Sequence, residues 1–213
     1  MANTDALRTR VGGILMSSAA QAIDFFLDSF HVDGSGLSFV ALALASKPKG
    51  VHGVTFRLGH VKHGAAATYS SSTNIFDFPA ANYGTTDFER MTIVHECVHA
   101  LRDANGPKLR TTSGPRTTLT LSNEAAAYLA GALFWINENS PPPPAPPATP
   151  SWSTAPIYGT AHTIALKMIT QSGFAVAPQD AKALRDAVMN FVPLYQNLKN
   201  APKTRDRGDG LQL

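Results

Sequence analysis

The stretch Thr92-Ile93-Val94-His95-Glu96-Cys97-Val98-His99-Ala100-Leu101 decides how the rest of the chain is read. It contains His-Glu-x-x-His. An α-helix advances about 100° per residue, so the i, i+4 spacing sets His95 and His99 one above the other on one face. Two imidazoles so placed can hold one metal ion. Zn2+ accepts imidazole nitrogen at about 2.1 Å and takes four ligands; a catalytic site supplies three from the protein and leaves the fourth position to water. Glu96, between the histidines, is the expected base for that water.

The flanking residues say how this helix begins and what surrounds it. Thr86-Asp87-Phe88-Glu89 is a capping box, in which the Thr86 hydroxyl and the Glu89 carboxylate each satisfy a backbone N–H that the first turn leaves without a partner. Met91, Val94, Val98 and Leu101 form one apolar row and Ile93, Cys97 and Ala100 another, so the helix should be buried nearly all round. Buried imidazoles and a buried carboxylate are costly unless something pairs with them, and a metal ion would do so. Asn105-Gly106-Pro107 should end the helix, with glycine in the left-handed cap and proline unable to continue. Cys97 is the single cysteine and has no partner for an internal disulfide. It points well away from His99 around the helix and reads as a small buried apolar side chain.

The chain has 213 residues, 44% hydrophobic and 15% charged, which suits one principal domain. A net charge of +3 with scattered Lys and Arg forms no basic stripe, so nucleic acid is not an expected partner. No apolar run reaches the roughly 18 residues of a membrane span. Arg8, Arg10, Val11 to Met16 and Ala20-Gln21-Ala22 loosely resemble a signal peptide. The apolar part is short, however, and the pattern runs on at helical spacing through Ile23, Phe26, Leu27 and Phe30. An N-terminal amphipathic helix is therefore expected, in a protein either cytoplasmic or exported by a signal-independent route.

The remaining elements predict an α+β fold. His31 to Gly36 reads as a turn. Leu37 to Ala45, apolar on both faces, reads as a central strand, and Val51 to Lys62 as a second strand with Val54, Phe56 and Leu58 inward. Ala65 to Phe78 is a third extended segment whose Ser, Thr and Tyr content suits a sheet edge, where an extended peptide could add as a further strand. The buried helix follows, then a helix from about Glu124 to Asn137 capped by Ser122 or Asn123. Residues 1–140 thus form the metal-binding region and 141–155 a proline-rich spacer. Helices over Pro156 to Ser172 and Pro178 to Lys199, the latter kinked at Pro193, complete the same domain across 156–200, and 201–213 is a tail. His60 and His63 fall on opposite faces of extended chain and are not read as a second metal site.

Two glutamates follow the motif. Glu138 lies at a helix end against the prolines, whereas Glu124 opens a helix of small residues suited to packing on the motif helix. His95-Glu96-x-x-His99 with a glutamate on the next helix, in Asn123-Glu124-Ala125-Ala126, resembles the gluzincin branch of the zincin metallopeptidases, of which thermolysin is the familiar member. The resemblance spans about residues 37–137 and is specific only in the metal motif. It implies a zincin-like fold, with an N-terminal helix and a small mixed sheet of about three strands over a buried active-site helix, followed by a helical C-terminal half. It further implies a zinc-dependent endopeptidase acting on a peptide or protein, with His95, His99 and Glu124 as zinc ligands and Glu96 as catalytic base. A small domain without an evident pro-segment would fit a bacterial toxin or effector; the alternative is a non-catalytic, zinc-stabilised binding protein.

Thermolysin-like enzymes carry an aspartate four residues after the glutamate ligand to orient a histidine, and here that position is Tyr128. Asp103, one turn beyond His99, is either the substitute or a solvated residue at the helix end. Gluzincins commonly draw an oxyanion donor from the C-terminal half; Tyr158 and His162, i, i+4 on one helix, are the candidates, with Tyr128 a third.

Overall fold

A computed structural model describes residues 4–45, 54–61, 65–105, 116–139, 156–171 and 174–191. In chain order its elements are α1 (Asp5–Leu15), α2 (Ser18–Gln21), β1 (Asp24–Leu27), β2 (Phe30–Asp33), α3 (Gly34–Ala45), β3 (Thr55–Leu58), β4 (Thr68–Ser70), β5 (Ile75–Phe78), α4 (Asp87–Ala104), α5 (Arg116–Glu138), α6 (Pro156–Gln171) and α7 (Pro178–Phe191). The described residues form a mixed α+β protein, and none of its helices is long and apolar enough to cross a membrane.

Helix α4 starts where its sequence dictates. The Thr86 hydroxyl accepts from the Glu89 N–H and the Glu89 carboxylate accepts from the Thr86 N–H, closing the capping box. Met91, Ile93, Val94, Cys97, Val98, Ala100 and Leu101 are all buried. Full burial of each larger aliphatic chain contributes roughly 1.5–3 kcal/mol, so packing rather than helix propensity holds α4 in place.

Helix α5 packs along α4 through its small residues. Ala125, Ala126, Ala127 and Ala130 are buried. A Cβ at Gly131 would lie 2.9 Å from Met91 Cγ and 3.1 Å from the Met91 carbonyl oxygen, closer than a side chain sits comfortably. The facing pairs Met91 with Gly131, His95 with Tyr128 and His99 with Glu124 run in opposite directions along the two helices, which are therefore antiparallel. That register sets Glu124 opposite the two histidines.

The sheet has strand order β3-β5-β4, with β3 and β5 parallel and β4 and β5 antiparallel. Val54, Phe56, Phe76 and Phe78 pack inward, and Tyr69 of β4 meets Phe76 with ring centroids 4.7 Å apart. The mixed three-stranded sheet agrees with expectation in size but not in all its members. Leu37–Ala45 is not its central strand: it lies within α3, whose first turn is held by Asp33 accepting from the Gly36 N–H at 2.7 Å. Leu37, Val40, Ala41 and Leu44 are buried at helical spacing, and a short run apolar on all sides does not by itself distinguish strand from helix. The segment Ala65 to Phe78 is two strands. Its polar part forms edge strand β4 and the turn at Asn74 (φ 52°), while apolar Ile75–Phe78 becomes the central strand.

The N-terminal helix is shorter than its apolar pattern suggests. Ile23 to Phe30 does not continue it; Phe25, Leu27, Phe30 and Val32 instead bury alternate positions of the antiparallel hairpin β1–β2. Phe26 exchanges backbone bonds with Phe174 and Val176, which ties the hairpin to the segment joining α6 to α7. Helix α5 begins eight residues before Glu124, so Ser122 and Asn123 lie inside it rather than capping it. The Gly106-Pro107 stop, His63, the spacer 141–155, Pro193 and the tail 201–213 lie outside the described residues.

Candidate metal centre

His95 and His99 project from one face of α4, and Glu124 reaches them from α5. The His95 and His99 Nε2 atoms are 3.2 Å apart, with rings at 84° to one another. Glu124 Oε2 lies 3.6 Å from His95 Nε2 and Glu124 Oε1 lies 3.4 Å from His99 Nε2. All three ligand groups fall within 4.8 Å of one another and could hold a metal ion. A tetrahedral ion with bonds of about 2.1 Å separates its ligand atoms by about 3.4 Å, close to the 3.2 Å between the two imidazole nitrogens, and Glu124 offers a different oxygen to each histidine. The side chains of His95, His99 and Glu124 are 13%, 12% and 14% exposed. The cluster is thus largely desolvated.

The three side chains are strongly coupled by charge. Burial alone would lower the His99 pKa, but Glu124, followed by Glu96 and the side chain of Asn123, raises it to about 9. Burial works against ionisation of Glu124 as well, yet His99 and His95 outweigh it and hold the carboxyl well below the usual carboxylate range. Asn123 thus faces His99 from the residue before the glutamate, its buried amide oxygen making no well-aligned hydrogen bond among the described residues.

Glu96 is buried beside the cluster, with Oε1 3.9 Å from His95 Nε2. Burial pushes its pKa up; the two histidines and a backbone hydrogen bond from Tyr69 act the other way. That hydrogen bond, from the Tyr69 N–H to Glu96 Oε2, is 2.7 Å long. The Tyr69 hydroxyl donates to Asp103 Oδ2 at 2.8 Å and meets Asn74 Oδ1 at 2.9 Å. Asp103 is accordingly a buried partner of Tyr69, not a solvated helix end.

The tyrosines converge on the same place. Tyr128 packs edge-to-face on His95 at 4.5 Å, and Tyr158 meets Tyr128 edge-to-face at 5.2 Å. Burial raises the pKa of both well above the ordinary value, so each keeps its hydroxyl proton across ordinary pH. Tyr83, buried ahead of α4 and within electrostatic range of Glu96 and Tyr158, is a third.

His162 does not join them. It is buried against Trp135, ring centroids 5.5 Å apart. Trp135 lies 11 residues beyond Glu124, about 16 Å along α5 at 1.5 Å per residue. The i, i+4 pairing of Tyr158 and His162 is real on α6, but the contacts advance along α5 with each turn: Tyr158 meets Tyr128, which packs on His95, while His162 lies against Trp135. Tyr69, Tyr83 and Asn123 are the neighbours that sequence reasoning missed. Tyr69 and Tyr83 carry no local signal, because sheet and loop bring them to α4 across 27 and 13 positions; Asn123, like Ser122, has the local signature of a helix cap.

Comparison with protein-family models, with curated proteins and with solved structures finds no match to this chain.

Proposed function

We propose that the protein is a zinc-dependent peptidase of gluzincin type, hydrolysing peptide bonds in a peptide or protein substrate. The observation that carries this reading is the convergence of two imidazole nitrogens and a carboxylate at 3.2–3.6 Å, with a further carboxylate, Glu96, beside them. A purely structural site has no use for a carboxylate between its ligands. The donor set of two imidazoles and one carboxylate suits zinc, as does the ligand count that leaves one position to water.

His95, His99 and Glu124 would hold the ion, which when bound lowers the pKa of a coordinated water towards about 7 and polarises a carbonyl. Glu96, one oxygen held by Tyr69, has Oε1 available to take the proton of the attacking water and to return it to the leaving amine. Tyr158 and Tyr128 present un-ionised hydroxyls as donors to the developing oxyanion. The substrate would lie extended along the outer edge of β4, pairing with edge groups other than the Tyr69 N–H, which is given to Glu96.

The test is a peptide-library digest with the parent and Glu96→Gln, with and without chelator, alongside metal analysis. Stoichiometric zinc in both proteins with cleavage only by the parent is the expected result. Equal cleavage by Glu96→Gln, or cleavage insensitive to chelator, would sink the mechanism. Bound zinc with no cleavage of any peptide would favour the non-catalytic alternative.

A further inference from the structure

We propose that Tyr69 is the positioning residue for Glu96: by clamping strand β4 to helix α4 through its hydroxyl, it aims its own backbone N–H at the carboxylate and fixes which oxygen faces the metal centre. The inference rests on the peptidase reading for its consequence in turnover, and on geometry alone for the contact.

Three bonds converge on this one residue. The Tyr69 N–H donates to Glu96 Oε2 at 2.7 Å. Its hydroxyl reaches Asp103 Oδ2 at 2.8 Å and Asn74 Oδ1 at 2.9 Å. Its ring packs on Phe76 of the central strand at 4.7 Å. Asp103 is seven residues, or two turns, beyond Glu96 on α4, so the backbone and the hydroxyl grip the same helix at two points about 10 Å apart along its axis. Tyr69 pairs with Phe76 across the antiparallel ladder, and its amide points outward from the sheet to Glu96 instead of to β5.

A carboxylate on a helix has two rotatable side-chain bonds before its terminal torsion, and without a partner Glu96 would sample several directions. The charge-assisted bond from a strand amide removes that freedom for one oxygen. The other, Oε1, is left on the His95 side, 3.9 Å from Nε2. A strand of three residues would not by itself hold the amide so accurately. The hydroxyl anchor to Asp103 and the left-handed turn at Asn74 supply the rigidity. The arrangement also places the base at the strand edge where the substrate would pair, so base and substrate would share one reference.

The experiment compares the Tyr69 amide resonance and its hydrogen exchange in the zinc-loaded parent, Tyr69→Phe and Glu96→Gln, together with kcat, KM and zinc content. The parent should show a downfield, slowly exchanging amide that moves upfield in Glu96→Gln, where the acceptor is uncharged. Tyr69→Phe keeps the ring and the backbone; its amide should move the same way, with kcat lower by about 10- to 100-fold, KM nearly unchanged and zinc still stoichiometric. An amide that ignores both substitutions overturns the inference, as does a Tyr69→Phe protein with parental kcat. If Tyr69→Phe does not fold, the Glu96→Gln spectrum still decides the contact. If the parent cleaves nothing, the functional reading fails while the amide measurement still judges the positioning.

Discussion

Glu124 Oε1 lies 3.4 Å from His99 Nε2, although the two residues sit on different helices and 25 positions apart in the chain. When His99 is protonated this is an ion pair, and a metal ion must displace the proton that makes it one. With His99 raised to about 9, zinc affinity should fall by about tenfold for each pH unit below that value from this histidine alone. Competition titrations between pH 6 and pH 8 measure the slope, and calorimetry in buffers of different ionisation enthalpy counts the protons released. An affinity flat across that range would contradict a charged His99.

The same pair predicts how stability of the chelator-treated protein depends on pH. His99 has a folded pKa above its ordinary 6.5, so its contribution is complete below about 6.5 and is lost as pH rises towards about 9. Glu124 has a folded pKa below its ordinary 4.5, so its contribution is present above about 4.5 and is lost as pH falls. Both are complete together only between about 4.5 and 6.5. Thermal unfolding of the chelated protein should show this cluster contributing most in that window, and Glu124→Gln should flatten the dependence.

Glu124→Gln should also separate ligand from bystander. Loss of an outer hydrogen-bond partner costs a metal site roughly 10- to 100-fold in affinity, and loss of an inner carboxylate should cost more. Equilibrium dialysis against zinc gives the number. Parental affinity in the variant would remove Glu124 from the site.

Gly131 sets the distance between the helices that carry the ligands. Gly131→Val must push against the Met91 side chain and carbonyl, and overpacking of this kind costs about 1–3 kcal/mol. Denaturant unfolding measures that loss. Zinc affinity should fall with it, because the same displacement moves Glu124 away from His95 and His99.

Tyr158 and His162 should differ sharply despite sharing a helix face. Tyr158→Phe should lower turnover by about a hundredfold with zinc retained, in the range seen for loss of one oxyanion donor. His162→Asn, beside Trp135, should destabilise the fold while turnover per folded molecule stays at the parental level. The converse result would place the donor on the wrong residue.

Much of the candidate site was legible in the chain itself. The i, i+4 geometry of His95 and His99, the placement of Glu96 between them and the capping box at Thr86 follow from covalent connectivity and helical pitch, which operate within a few residues and need no partner. The small residues after Glu124 announced a close helix contact for the same local reason. What tertiary structure decided lies where two local readings compete or where distance along the chain is large. Leu37–Ala45 is apolar all round, and only packing on its neighbours selects helix over strand. Tyr158 and His162 share a face, and only the course of α6 across α5 sets one against Tyr128, beside His95, and the other against Trp135. Convergence of Glu124 on the histidines depends on an antiparallel register set at Gly131, and the hold of Tyr69 on Glu96 depends on an edge strand meeting a helix. Neither relation has a sequence period, because each is fixed by side chains filling space between elements that the chain separates.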